Sequence, residues 1–68
     1  MTFTLTIKCD NAAFHEDDGE ATSGALGAEI ARILRTLGGR LEQGADAEDS
    51  GYLFDGNGNK VGGWRIQL

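Results

Sequence analysis

The sequence predicts one α+β domain spanning residues 1–68, of β-α-β-β order, with a single helix packed across a three-stranded antiparallel sheet of spatial order 2-3-1. Three observations carry that prediction. Polarity alternates residue by residue over the first nine positions. An apolar stripe of helical period runs from Leu26 to Leu41. A turn rich in glycine and asparagine, Asp55-Gly56-Asn57-Gly58-Asn59, separates two short apolar segments.

The first strand is predicted over Thr2–Cys9. Phe3, Leu5, Ile7 and Cys9 fall on one face, and Thr2, Thr4, Thr6 and Lys8 on the other. Period two with β-branched residues is the signature of a half-buried strand. Asp10 to Thr22 breaks the pattern and reads as an acidic loop running up to the helix. Phe14 is its expected anchor, because a long loop in a small domain needs tying to the core.

The helix follows. Leu26, Ile30, Ile33, Leu34, Leu37 and Leu41 form one stripe at a period of 3.6, with Glu29, Arg32, Arg35, Thr36, Arg40 and Glu42 on the remaining surface. Ser23 and Thr22 compete as N-cap, and Gly44 is the expected stop. Acids before the helix and arginines in its later turns both suit its dipole. Gly38 and Gly39 each cost about 1 kcal/mol relative to Ala, so they imply close packing on the sheet or an irregular last turn.

Gly51–Asp55 and Lys60–Leu68 read as a hairpin. Val61 has a core-facing character, as do Trp64, Ile66 and Leu68 of opposite parity. A β-bulge at Gly62-Gly63 would let both sets face inward. The order 2-3-1 keeps the hairpin partners adjacent. It pairs the first strand with the third, and leaves the helix to join two parallel, non-neighbouring strands.

Composition bounds the rest. The 68 residues are 40% apolar and 25% charged, which are globular proportions. A chain this short buries roughly 60% of its extended surface, so a stability of a few kcal/mol is expected. No apolar run approaches the roughly 20 residues needed to span a bilayer, and no secretory leader is evident. Cys9 is the single cysteine and cannot form an intrachain disulfide. A reducing cytoplasm and no membrane association are therefore expected.

Few residues suggest chemistry. Asp55 to Asn59 imitates the start of a calcium loop, but Lys60 replaces the required glycine and Ile66 the closing glutamate, so a hairpin turn explains it better. His15 and Cys9 are each alone, one beside acids in a loop and the other continuing an apolar face. No nucleophile elbow, phosphate loop or dinucleotide fingerprint occurs. Neither catalysis, nor a metal, nor a cofactor is expected.

The charge is more telling. Eleven acids against six bases give −5, which opposes direct binding to nucleic acid and fits a basic partner. Nine of the eleven acids fall into two groups, Asp10, Glu16, Asp17, Asp18 and Glu20, and Glu42, Asp46, Glu48 and Asp49. They flank a helix of about 20 residues and so lie up to roughly 30 Å apart. Carboxylates held at that spacing could occupy a basic groove built for phosphates. The same groups equally fit solvated loops that keep an acidic protein soluble. The second candidate surface is the open sheet face. With Leu53 inward, Tyr52 and Phe54 face outward near Thr4, Thr6 and Arg65, as a patch for a partner. The opposite register, with both aromatics in the core, is the alternative.

The segments FTLTIKCDNAAF, AEIARILRTLGGRLEQG and DGNGNKVGGWRI together resemble small phage- and mobile-element-encoded proteins of β-α-β-β plan, over nearly the whole chain. In size, acidity and pattern the chain is also similar to anti-CRISPR inhibitors, including those acting on a type I-C system. That resemblance implies a non-enzymatic inhibitor in the cytoplasm of a bacterial host. Its acids would cover the lysines and arginines with which a subunit of the Cascade surveillance complex holds target DNA. On this reading the protein is a monomer, makes no direct contact with nucleic acid, and uses the two acidic groups with Tyr52 and Phe54. The alternatives are a small nucleic-acid-binding or regulatory phage module working through the open sheet face, with Lys8, Lys60 and Arg65 beside the two aromatics, and a dimer formed through the edge of the first strand.

Overall fold

The computed structural model describes residues 1–15 and 23–68, and of Ser23 the backbone alone. The elements are β1 (Thr2–Ile7), a single 3-10 turn (Ala12–Phe14), α1 (Ser23–Glu42), β2 (Ser50–Phe54) and β3 (Lys60–Gln67). The sheet has the order β1-β3-β2, with both outer strands antiparallel to β3. This is the predicted α+β architecture.

Local rules account for most boundaries. β1 stops at Ile7 rather than Cys9, but the Lys8 N–H still donates to the Val61 carbonyl at 2.8 Å. Cys9 stays half-buried on the apolar side, its Sγ 3.8 Å from the Ile7 carbonyl. α1 already includes Ser23, and Thr22, the competing cap, lies outside the described residues. At the other end Gly44 takes a positive φ of 118° and donates to the Leu41 carbonyl at 3.0 Å, while Arg40 donates to the Gly44 carbonyl at 3.3 Å. A residue of left-handed conformation and a cation at the last turn together end the helix. Gly38 and Gly39 remain helical, and a β-carbon on either would meet nothing within 4 Å. Neither close packing nor an irregular turn accounts for them.

The bulge lies one position earlier than predicted. The β1–β3 ladder runs unbroken from Thr2↔Gln67 to Ile7↔Gly62. Along β2, Leu53 pairs with Gly62 but Phe54 with Lys60, so Val61 is the extra residue. The expected consequence holds for Val61 and Trp64, both buried despite opposite parity, and Ile66 is half-buried, but Leu68, beyond the end of β3, is exposed. Gly62 then has a clear purpose. A side chain there would strike the Thr6 carbonyl of β1, a backbone atom that cannot yield without breaking the ladder. At Gly51 the indole of Trp64 fills the space a β-carbon would need, with Nε1 only 2.5 Å from that point.

Phe14, Ile33, Leu37, Leu53, Val61 and Trp64 form the core, with Leu5, Ile7, Cys9, Leu26, Ile30, Leu41 and Ile66 packed around them. Phe14 is completely buried and anchors its loop as predicted. Trp64 is the centre of the sheet side. Phe3 stacks on it at 6.1 Å between centroids, and the Arg40 guanidinium lies 5.9 Å over its ring. Two helical positions depart from the predicted stripe. Leu34 is exposed and Glu29 is buried. Six apolar residues make a stripe wider than three strands can cover, so its flank is left in water on one side. On the other side the helix turns Glu29 toward the hairpin.

Candidate functional site

The buried carboxylates come first, because they separate acids used for folding from acids left available. Glu29 Oε2 accepts the Gly56 N–H at 2.6 Å, and Oε1 accepts Arg32 Nε at 2.8 Å. Arg32 Nη2 donates both to Glu29 Oε2 at 3.2 Å and to the Phe54 carbonyl at 3.0 Å. Asp55 Oδ1 accepts the N–H groups of Asn57 and Asn59, each at 2.9 Å. Its Oδ2 accepts Asn11 Nδ2 at 3.1 Å and Asn59 Nδ2 at 3.3 Å. Helix, hairpin and the segment after β1 are thus clamped at one end of the molecule.

The protonation equilibria follow from these bonds. The Arg32 hydrogen bond holds Glu29 below the ordinary carboxylate value; burial opposes it and the Gly56 N–H adds to it. For Asp55 burial is the largest single influence and pushes upward, but the combined donors from Asn59, Asn11 and Asn57 outweigh it and leave the group lowered. The hydrogen bond to Glu29 raises Arg32. Both oxygens of Asp55 are engaged by amides of the turn, which is why the calcium-like spacing makes a hairpin. Among the described residues no three His, Cys, Asp or Glu side chains come together as a metal-binding group.

The predicted partner-binding acids divide. Asp10 is exposed beside the hairpin end. Glu16, Asp17, Asp18 and Glu20 lie outside the described residues. Glu42 and Asp46 are exposed at the opposite end, and Glu42 is the last helical residue, about 20 Å along the axis from Glu29. Glu48 is exposed at a positive φ of 73°, its N–H bonded to the Ile66 carbonyl at 2.7 Å and its Oε1 accepting the Leu68 N–H at 3.2 Å. Asp49 is half-buried; its Oδ2 accepts the Asp46 N–H at 2.9 Å and its carbonyl accepts the Ile66 N–H. The loop is therefore fastened to the end of β3 and presents Asp46 from a fixed base, following Glu42 at the helix end. Glu48 and Asp49 serve in part to hold it. Among the described residues the one ion pair is Glu29–Arg32, so Asp10, Glu42 and Asp46 form none there.

Tyr52 and Phe54 are both exposed, at 68% and 51%, as the outward register predicted. The pairing Thr6↔Gly63↔Tyr52 puts a bare glycine between a threonine and the tyrosine on the outer face. Tyr52 borders two shallow depressions there. One, of about 410 Å³, is lined by Thr6, Lys8 and Lys60, with Asp10 at its margin; the other, of about 640 Å³, by Thr4, Ser50 and Arg65. The Lys60 ammonium sits 4.3 Å from the Tyr52 ring centre. Both ring nitrogens of His15 are buried without a partner among the described residues.

Sequence reasoning missed the clamp. Glu29 reads as one more polar residue on a helix surface, and only its contact with a turn 27 residues away shows its use. A signal existed for Asp55, since an Asp opening a Gly/Asn turn is a standard acceptor for the N–H groups two and four residues on.

Comparison with family models, curated proteins and solved structures finds no match for this chain. Among the described residues no helix is long and apolar enough to cross a membrane.

Proposed function

We propose that the protein is a non-enzymatic inhibitor that docks acidic surface against a basic, DNA-holding subunit of a bacterial CRISPR surveillance complex and thereby blocks target recognition. The observation that carries this reading is the division among its carboxylates. Glu29 and Asp55 are consumed by the fold, whereas Asp10, Glu42 and Asp46 stand exposed and form no ion pair among the described residues. Asp10 lies toward one end of a body measuring 42 × 20 × 18 Å, and Glu42 and Asp46 toward the other.

Placement argues against a purely stabilising use. Glu42 ends a helix, where the dipole disfavours a negative charge by about 0.3–1 kcal/mol. Fixed carboxylates at two ends of a small rigid body can compete with phosphates for lysines and arginines, and complementary potentials speed the encounter. The sequence supplies further acids at Glu16, Asp17, Asp18 and Glu20, adjoining the Asp10 end in the chain.

The test uses purified type I-C Cascade and a labelled target duplex. The protein is expected to bind the complex, to weaken steeply as salt rises, and to abolish the DNA shift. A variant with Asp17→Asn, Asp18→Asn, Glu42→Gln and Asp46→Asn should lose most inhibition, while the two substitutions at described positions leave stability within about 0.5 kcal/mol. Full inhibition by that variant would remove charge mimicry as the mechanism. Absence of binding to the complex would remove the proposal.

A further inference from the structure

Net charge describes the whole chain and not each of its faces. None of the three strands contains an aspartate or glutamate. Among the described residues the acids belong to the helix, the loops and the turn, while Lys60 and Arg65 lie in β3 and Lys8 follows β1 directly. The helix covers one face of the sheet, and the strand registers assign the other to Thr2, Thr4, Thr6, Ser50, Tyr52 and Arg65. Among the described residues Asp10, at the rim of one depression, is the single carboxylate bordering them. We propose that this open face is a binding site for single-stranded nucleic acid, a second site distinct from the acidic ends.

Charge complementarity selects an anionic occupant. Lys8 and Lys60 line the depression on one side of Tyr52, and Arg65 the one on the other, and none of the three has a carboxylate within ion-pair distance among the described residues. A strand running across the face meets cations before and after the ring.

The aromatic selects among anions. Tyr52 is largely exposed and stands next to bare backbone at Gly63, so a planar group can approach it. Unpaired bases stack on such rings, whereas the bases of a duplex are already stacked on one another. The Lys60 ammonium now over the ring is an attractive but weak surface contact, of a kind readily exchanged for a phosphate. Threonine and serine hydroxyls along the face supply donors for phosphate and sugar oxygens. An acidic polypeptide would satisfy the cations but leave the tyrosine unused.

The deciding measurement is fluorescence anisotropy of a labelled, mixed-sequence single strand of about 15 nucleotides, the upper range of one small domain's site, titrated with the full chain. Binding is expected at low salt, with log K falling against log salt at a slope of about −2, as three phosphate contacts at roughly 0.7 each require. Tyr52→Ala should lower affinity roughly 5- to 150-fold, with Tyr52→Phe close to the parent. Lys60→Gln and Arg65→Gln should each reduce the slope by about 0.7. Circular dichroism checks the fold of each variant, and if Tyr52→Ala unfolds, the slopes of the two charge variants decide. No binding at low salt overturns the proposal. So does unaltered affinity in folded Tyr52→Ala, or tighter binding of polyglutamate than of the oligonucleotide, which assigns the face to an acidic peptide. Because the probe is naked nucleic acid, this result is independent of whether the surveillance complex is bound.

Discussion

The two ends of the molecule use the same residue type in opposite ways. At the hairpin end, Glu29 and Asp55 are buried and accept hydrogen bonds from Arg32, Gly56, Asn11, Asn57 and Asn59. At the far end, Glu42 ends the helix and Asp46 projects from a loop fastened through Glu48 and Asp49. A carboxylate desolvated among donors specifies one geometry, because leaving those donors unpaired costs more than the bond itself contributes. A carboxylate left in water specifies nothing about the fold and keeps its charge for a partner.

The sharpest way to break this contrast is to remove what seals the hairpin end. Phe14→Ala is expected to cost about 3–5 kcal/mol, much of the stability available to a domain of this size, and to unfold the chain in thermal circular dichroism. A smaller probe acts on the clamp alone. Glu29→Ala leaves the Gly56 N–H and Arg32 without their acceptor and should cost about 2 kcal/mol by urea denaturation at neutral pH. The same substitution tests the protonation argument. Glu29 and Asp55 are both lowered in the folded state. Their contribution is therefore full above the ordinary carboxylate range and is lost as pH falls below it, through the depressed native values. Parent protein should weaken from pH 5 to pH 3, and Glu29→Ala should weaken less; an equal loss in both would deny Glu29 that role. The smallest effect belongs to the other half of the helix. Gly39 is exposed and has open space around a β-carbon, so Gly39→Ala should raise stability by about 0.5–1 kcal/mol in the same denaturation assay.

Particular residues show how far the sequence could be read. The alternation of β1 and the spacing of Leu26, Ile30, Ile33, Leu37 and Leu41 each have one structural solution, because burial must follow the period of the backbone. Phe14 is legible as an anchor because it is the lone large apolar residue in an acidic stretch. The conflict of parity between Val61 and Trp64 demanded a bulge, but not its position. It falls in the β2–β3 ladder at Val61, one position before the glycine pair, while the β1–β3 ladder runs on through Gly62 unbroken. Leu34 and Glu29 were misjudged for a related reason. Helical period tells which residues share a face, not how much of that face the sheet can cover.

Of the two registers the sequence allowed for Tyr52 and Phe54, the structure takes the outward one. What the sequence determined by itself is the order and kind of the elements and the overall negative charge. These depend on local periodicity and on sums over residues, and both are written in the chain. Only the tertiary structure decided which of the described acids are spent and which stay exposed, and it set Lys8, Tyr52, Lys60 and Arg65 around two depressions on a face whose strands carry no carboxylate. Such groupings join residues up to 57 positions apart, from Lys8 to Arg65. Electrostatics and hydrogen bonding act through space at a few ångströms, so their outcome exists only once strand pairing and helix docking have set those distances.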